Sequence, residues 1–158
     1  MASRAISRDS AVEMSRFCAS ANFRRAARVL TRHYDAALRT AGITATQLPL
    51  LAAIGTGTDA SIAALAEALD LERSTVSREL DALHRLGLIA TESGADRRVT
   101  ALKLTARGER TLKAAHRAWQ GAHDAIIKTY GRQPYETLLA STRELGRQVK
   151  GLAKTSRR

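Results

Sequence analysis

The 158 residues carry 26 Lys and Arg against 15 Asp and Glu, a formal net charge of +11 that points to an anionic partner. The length suits about one domain, and no apolar run approaches the ~18 residues needed to span a bilayer. One cysteine excludes an internal disulfide framework and suits a reducing cytoplasm, while an aromatic share of 4% argues against a stacking platform for single strands.

Met1 to Ser10 reads as a loose basic arm without the apolar core of a signal peptide. From about Val12 to Arg39 the pattern is helical, with Phe23, Ala27, Leu30, Tyr34, Ala37 and Ala41 recurring at three- and four-residue intervals. Gly42 ends that helix. Thr44-x-x-Gln47 is a capping box that opens the next, running to about Ile54, with Pro49 just past the first turn. Gly55 to Asp59 reads as a loop, and Ser61 to Leu69 as a short alanine-rich helix that supports the next one.

The stretch from Leu71 to Thr105 is the most informative. Wound at about 3.6 residues per turn, Val76, Leu80, Leu83 and Leu86 share one side, and Gly87 closes the helix. Ser74, Ser77, Arg78, Asp81 and Arg85 fall on the other. A merely solvated face favours good helix formers such as Glu, Lys and Gln. Here short hydroxyls and an arginine cluster near the N-terminus, where they can approach base edges and phosphates; Thr75 lies on the flank, placed for a phosphate. Taken alone, the helix is equally an ordinary amphipathic one with a wet face. Leu88 to Glu92 then reads as a strand, Ser93-Gly94-Ala95 as a turn, and Val99 to Leu104 as a second strand. Asp96, Arg97 and Arg98 fall near the hairpin tip. Adjacent arginines there repel each other unless a polyanion neutralises them, and Asp96 can brace Arg98. A basic hairpin behind such a helix describes a helix-turn-helix with a wing.

Thr105 caps a long helix with a stripe of Leu112, Ala115, Trp119, Ala122 and Ile126, and Gly131 and Pro134 mark its break. A last helix carries Leu138, Thr142, Leu145, Val149 and Leu152 at near-heptad spacing. Left exposed these stripes form an apolar patch that monomers avoid. Trp119, Ile126, Leu138, Leu145, Val149 and Leu152, together with the first helix, are therefore expected at a symmetric dimer interface; the alternative is intramolecular packing of the two helices. The fold class is mainly α, an α+β winged helix flanked by long N- and C-terminal dimerisation helices. The expected divisions are an arm and first dimerisation helix (1–40), a winged helix-turn-helix DNA-binding domain (41–105) and C-terminal dimerisation helices (106–158).

Catalysis finds no support. His33, His84, His116 and His123 offer no pair at four-residue spacing, and one cysteine builds no thiolate site, so no metal is expected. No nucleophile elbow, Gly-rich phosphate loop or carboxylate dyad is present, and no cofactor is expected.

The helix motif Ser74-Thr75-Val76-Ser77-Arg78 with Leu83-x-x-x-Gly87-Leu88 resembles the MarR family of bacterial winged-helix transcriptional regulators. So do Asp96-x-Arg98 and Leu102-x-Leu104-Thr105-x-x-Gly108 across the wing, and upstream Asn22 to Arg28, Tyr34 and Thr44-x-x-Gln47. The likeness covers roughly residues 12 to 120. Departures are Asp70 in place of the glycine usual between the two helices, Pro49 inside a helix, and a short wing. The resemblance implies a cytoplasmic homodimer, not an enzyme, that binds double-stranded DNA at a near-palindromic promoter site and represses. Ser74, Thr75, Ser77 and Arg78 would enter the major groove, Arg97 and Arg98 would hold the flanking backbone and minor groove, and Arg73 and Arg85 would touch phosphates. A small-molecule effector, of a kind the residues do not name, would sit between the dimer helices and the winged domain. Some relatives sense peroxides through a cysteine in the first helix partnered by a tyrosine, which Tyr34 resembles. Counting back from Tyr34 puts that cysteine position at Ser20, so Cys18 lies about 200° away around a helix and reads first as a small buried interface residue. Arg16 and Arg25 are its candidate activators. The competing functions are a sequence-independent architectural DNA-binding protein, a thiol-based peroxide-sensing regulator acting through Cys18, and a protein–protein adaptor built on a winged helix.

Overall fold

The N-terminal segment is two helices rather than one. In the computed structural model, which describes residues 6–57, 61–93 and 100–155, α1 (Arg8–Phe17) and α2 (Ala19–Leu38) are parted at Cys18, where ψ swings to 105°. No proline or glycine marks this break. Asn22 accommodates it: its Nδ2 donates to the Arg16 carbonyl across the break (2.9 Å) and also to the Cys18 carbonyl (3.0 Å), which takes the Asn22 backbone amide as well. The first helix also begins inside the expected loose arm, because the Ser7 hydroxyl accepts from the Ser10 amide at 3.1 Å and caps it.

A 3-10 turn, Arg39–Ala41, leads to α3 (Gln47–Gly55). The capping box forms as expected: the Thr44 amide donates to Gln47 Oε1 (3.1 Å) and the Gln47 amide to Thr44 Oγ1 (3.2 Å). Pro49 falls within the first turn rather than past it, where a missing donor matters less, and Gly55 belongs to the helix rather than to a loop. Ser61 caps α4 (Ile62–Leu69) through the Ala64 amide at 3.2 Å. Asp70 then adopts the left-handed conformation, φ 54° and ψ 45°. Its amide and that of Leu71 return to Glu67 and Ala66, so a short aspartate fills the helix-ending role usual for glycine.

The next helix, α5 (Arg73–Arg85), ends in the same way but with a glycine: Gly87 sits at φ 66°, its amide bonded to His84 O and the Leu88 amide to Leu83 O (3.0 Å). That second bond occupies Leu88, so β1 (Ile89–Ser93) starts and ends one residue later than the expected Leu88 to Glu92. It pairs antiparallel with β2 (Thr100–Leu104), from Ile89↔Leu104 to Ser93↔Thr100. Two long helices complete the chain, α6 (Ala106–Tyr130) and α7 (Arg132–Thr155).

The chain divides into two compact units, Met1–Trp119 and Gln120–Arg158. In the first, Leu38, Leu50, Leu51, Val76 and Leu83 are fully buried in one core that also takes Leu88, Ile89 and Ala115. Each such side chain contributes roughly 1.5–3 kcal/mol by leaving water. In the second, Ala122 is buried and His123 lies edge-on to Tyr135 with ring centroids 5.2 Å apart. On α7, a hydrogen bond from Gln148 and then the Arg147 guanidinium hold the Glu144 carboxyl below its ordinary range.

One junction ties the first unit together. Thr105 Oγ1 donates to Gly87 O at 2.7 Å and accepts from the Gly108 amide at 3.0 Å, while the Thr105 amide donates to Leu88 O at 3.0 Å. A Cβ on Gly108 would overlap that Leu88 carbonyl. Gly108→Ala is therefore expected to destabilise the protein by about 3 kcal/mol, since backbone rather than a flexible side chain must yield. Thr105→Val, which loses a cap and a hydrogen bond, should cost about 1–3 kcal/mol. Urea unfolding with an unchanged slope checks both; a Gly108→Ala protein as stable as its parent would refute the close approach.

Candidate nucleic-acid interface

The 13 residues of α5 divide cleanly by face. Val76, Leu80 and Leu83 are buried against the core. Arg73, Ser74, Arg78, Asp81 and Arg85 are exposed, and Thr75 and Ser77 are half-buried. The outer surface is thus centred on Ser74, Arg78 and Arg85, with Thr75 on its flank as the periodicity indicates and Ser77 at its border rather than its middle.

The N-terminus of this helix is electrostatically open. Glu72 stands at the N-cap but makes no side-chain cap hydrogen bond, and the first turn holds no acidic residue. The leading amides therefore remain available to an anion beside Arg73. Countering this, Glu67, Asp70 and Glu72 line an adjoining notch of about 620 Å³ that also includes Arg73 and Ser74. Periodicity reveals nothing of that acidic border, because α4 and the turn contribute it across the helix–helix junction. A polyanion approaching α5 is consequently drawn along Arg73, Arg78 and Arg85 and kept off the α4 side.

At the other end, His84 and Arg85 complement the helix dipole in the last turn. His84 Nε2 and Thr91 Oγ1 lie 3.1 Å apart, joining α5 to the first strand of the hairpin. Asp96, Arg97 and Arg98 fall between the paired strands in sequence and lie outside the described residues.

The remaining candidates take other places. Cys18 is exposed in the single chain at the α1–α2 junction, and since it stands between helices, its angular offset from Ser20 around one continuous helix does not hold. Arg16, one of its two candidate activators, lies over the Phe17 ring at 5.7 Å. Trp119 and Ile126 are half-buried, whereas Leu138, Leu145, Val149 and Leu152 are 42–70% exposed on α7. His116 stacks on Trp119 with centroids 6.0 Å apart. Among the described residues no group of three or more His, Cys, Asp and Glu is placed to hold a metal ion, and no helix is long and apolar enough to cross a membrane.

The sequence signature of the MarR family matches residues 41–99, from just before the capping box to the residue before β2. The M. tuberculosis transcriptional regulator MosR, solved in complex with DNA, is 34% identical over 85% of this chain and 98% of its own, with a TM-score of 0.75. At 20% identity, a mutant of E. coli MarR complexed with operator DNA shares the fold over 84% of this chain and 96% of its own, with a TM-score of 0.74. The repressor CouR bound to p-coumaroyl-CoA, 21% identical, does so over 82% of this chain and 91% of its own, also at 0.74. With the extent of the MosR match added to a buried-inside, arginine-and-hydroxyl-outside α5 and its attached hairpin, the chain belongs to the MarR family of DNA-binding transcriptional regulators.

Proposed function

We propose that the protein is a homodimeric repressor that binds a near-palindromic promoter site and is released by a small ligand. The observation that carries the reading is the α5 surface: Arg73, Ser74, Arg78 and Arg85 exposed over a fully anchored apolar face. Ser74, Thr75, Ser77 and Arg78 enter the major groove, where an arginine fork matches the two acceptors of guanine. Arg73 and Arg85 contact phosphates. Arg97 and Arg98, with Asp96 bracing the latter, hold the flanking backbone and minor groove, where narrow A·T-rich segments attract arginine. In this division 41–105 carries the DNA contacts, while 1–40 and 106–158 supply the dimer helices.

The dimer follows from apolar surface. Leu138, Leu145, Val149 and Leu152 on α7, and Phe23 and Leu30 on α2, are each at least 42% exposed in the single chain. A two-fold axis covers both sets and repeats the recognition helix, which suits half-sites about 34 Å apart on one face of the duplex. Ligand release is supported by the CouR complex with p-coumaroyl-CoA. A ligand held between the dimer helices and the winged domain would act by favouring a spacing of the two α5 helices that no longer fits the site.

Arg78→Ala is expected to lower discrimination between the operator and a mutated site by about 1–3 kcal/mol. Arg98→Ala should weaken both sites alike, by at least about tenfold if several charge-assisted contacts go with it. Anisotropy titrations on the two duplexes distinguish the roles, and an Arg78→Ala protein with intact discrimination would make that residue a phosphate contact instead. Leu145→Asp places an unpaired charge in the dimer seam at a cost of several kcal/mol. Light scattering should then report monomers, and a persisting dimer would relocate the interface.

A further inference from the structure

Away from the α5 surface, a dense row of positive charge lies on α2. Residues 19–33 of this helix are all exposed in the single chain. Phe23 and Leu30 mark its apolar side. Around the helix from them, Arg24, Arg28 and Arg32 succeed one another at four-residue spacing, a separation of about 5–6 Å between Cβ atoms. With Ala27 and Thr31 these arginines bound an open concavity of about 470 Å³, and Arg25 flanks the row.

Nothing nearby neutralises this row. Residues 19–33 contain no Asp or Glu. The next acid, Asp35, already accepts the Ala45 amide at 2.7 Å. Among the described residues no ion pair involves Arg24, Arg28 or Arg32. Like charges one turn apart weaken a helix, so an isolated chain gains nothing from the arrangement. In the proposed dimer, the C-terminal helices and α1 add little net negative charge to meet it. Residues 120–155 hold three carboxylates against six Lys and Arg. Two of the three, Glu136 and Glu144, already pair with Arg132 and Arg147. In α1, Asp9 and Glu13 are balanced by Arg8 and Arg16.

We propose that Arg24, Arg28 and Arg32 form a second DNA-contact surface, which grips the phosphate backbone of a duplex independently of α5. Guanidinium groups bind phosphate oxygens in bidentate fashion, and a row of them one helical turn apart can follow successive phosphates along one strand. The floor between them, Ala27 and Thr31, carries no side chain with the paired donors or acceptors that read a base edge in bidentate fashion. This surface therefore adds affinity and salt dependence without adding specificity. The phosphates come from DNA flanking the operator or from a second duplex, which the same protein would then bridge.

The proposal rests on the DNA-binding reading, and the test separates the two. Wild type, the triple variant Arg24→Gln/Arg28→Gln/Arg32→Gln, and a charge-matched triple Lys128→Gln/Arg143→Gln/Lys150→Gln are titrated by anisotropy against a random-sequence duplex of about 40 base pairs over a range of KCl. Glutamine is a good helix former and all three α2 positions are exposed, so the fold should persist, as circular dichroism melting verifies. The α2 triple should reduce the slope of log K against log[KCl] by about 2–3 and weaken binding more than tenfold at low salt. Arg28→Gln alone should remove about 1 from the slope, and the charge-matched triple distinctly less than the α2 triple. Wild type saturated with unlabelled duplex and then offered a labelled one distinguishes the sources: a ternary complex identifies a second duplex, its absence flanking DNA. Equal losses in the two triples, or an unchanged α2 triple, would overturn the assignment while leaving α5 in place. A wild type that binds no duplex would overturn both.

Discussion

Three short contacts at Thr105 hold α5, the hairpin and the start of α6 in register. The hydroxyl bonds Gly87 O and takes the Gly108 amide, and the backbone amide bonds Leu88 O. Gly87 ends the α5 helix, Leu88 precedes β1, Thr105 follows β2, and Gly108 lies in the first turn of α6. One residue thus fixes where α5 stops, where the hairpin begins and ends, and where the long helix starts. The hairpin itself has only two strands, too little to be stable alone, so its aim depends on this root and on the packing of Ile89, Leu102 and Leu104 into the core. A bond between α5 and the hairpin at His84 and Thr91 repeats the linkage one turn farther back.

Charge around α5 is arranged by exclusion as much as by attraction. The helix has three exposed arginines, while Glu67, Asp70 and Glu72 stand where its N-terminus meets α4. A surface uniformly cationic would attract DNA in many poses. Acids on one border penalise the poses that slide toward α4, which favours the orientation of the proposed complex, with the outer face of α5 against the duplex. Asp70 contributes twice, because its left-handed backbone also sets the angle at which α5 leaves α4.

Much of this architecture is legible in the sequence, wherever a physical rule acts over a few residues. The Thr44–Gln47 box, the Ser61 and Thr105 caps, the closure at Gly87 and the inward face of α5 each depend only on neighbours in the chain. The break at Cys18 is not legible, because no proline or glycine marks the place and the Asn22 side-chain amide that accommodates it bonds carbonyls four and six residues back. Neither is the close approach of Gly108 to Leu88, which the motif contains but whose meaning depends on two segments twenty residues apart. The late start of β1 has a similar origin: the amide of Leu88 is spent on ending α5, a competition between neighbouring elements that strand propensity does not register. Periodicity also gives no hint of the acids bordering α5, which α4, the turn after it and the N-cap of α5 contribute together.

The long exposed run of α2 connects assembly to DNA binding. A helix whose residues 19–33 touch little else in their own chain draws little of its stability from packing, and helices of that length are marginal in water on propensity alone. Its apolar side, through Phe23 and Leu30, gains most by meeting the same surface of a partner, while its arginine row is weakened by self-repulsion and gains by meeting phosphate. In the proposed dimer the two gains support one another: pairing orders the helix that carries the arginines, and DNA removes the repulsion that opposes that order. Protein concentration, ionic strength and DNA affinity then become linked variables, so the dimer interface would set how strongly the protein responds to salt.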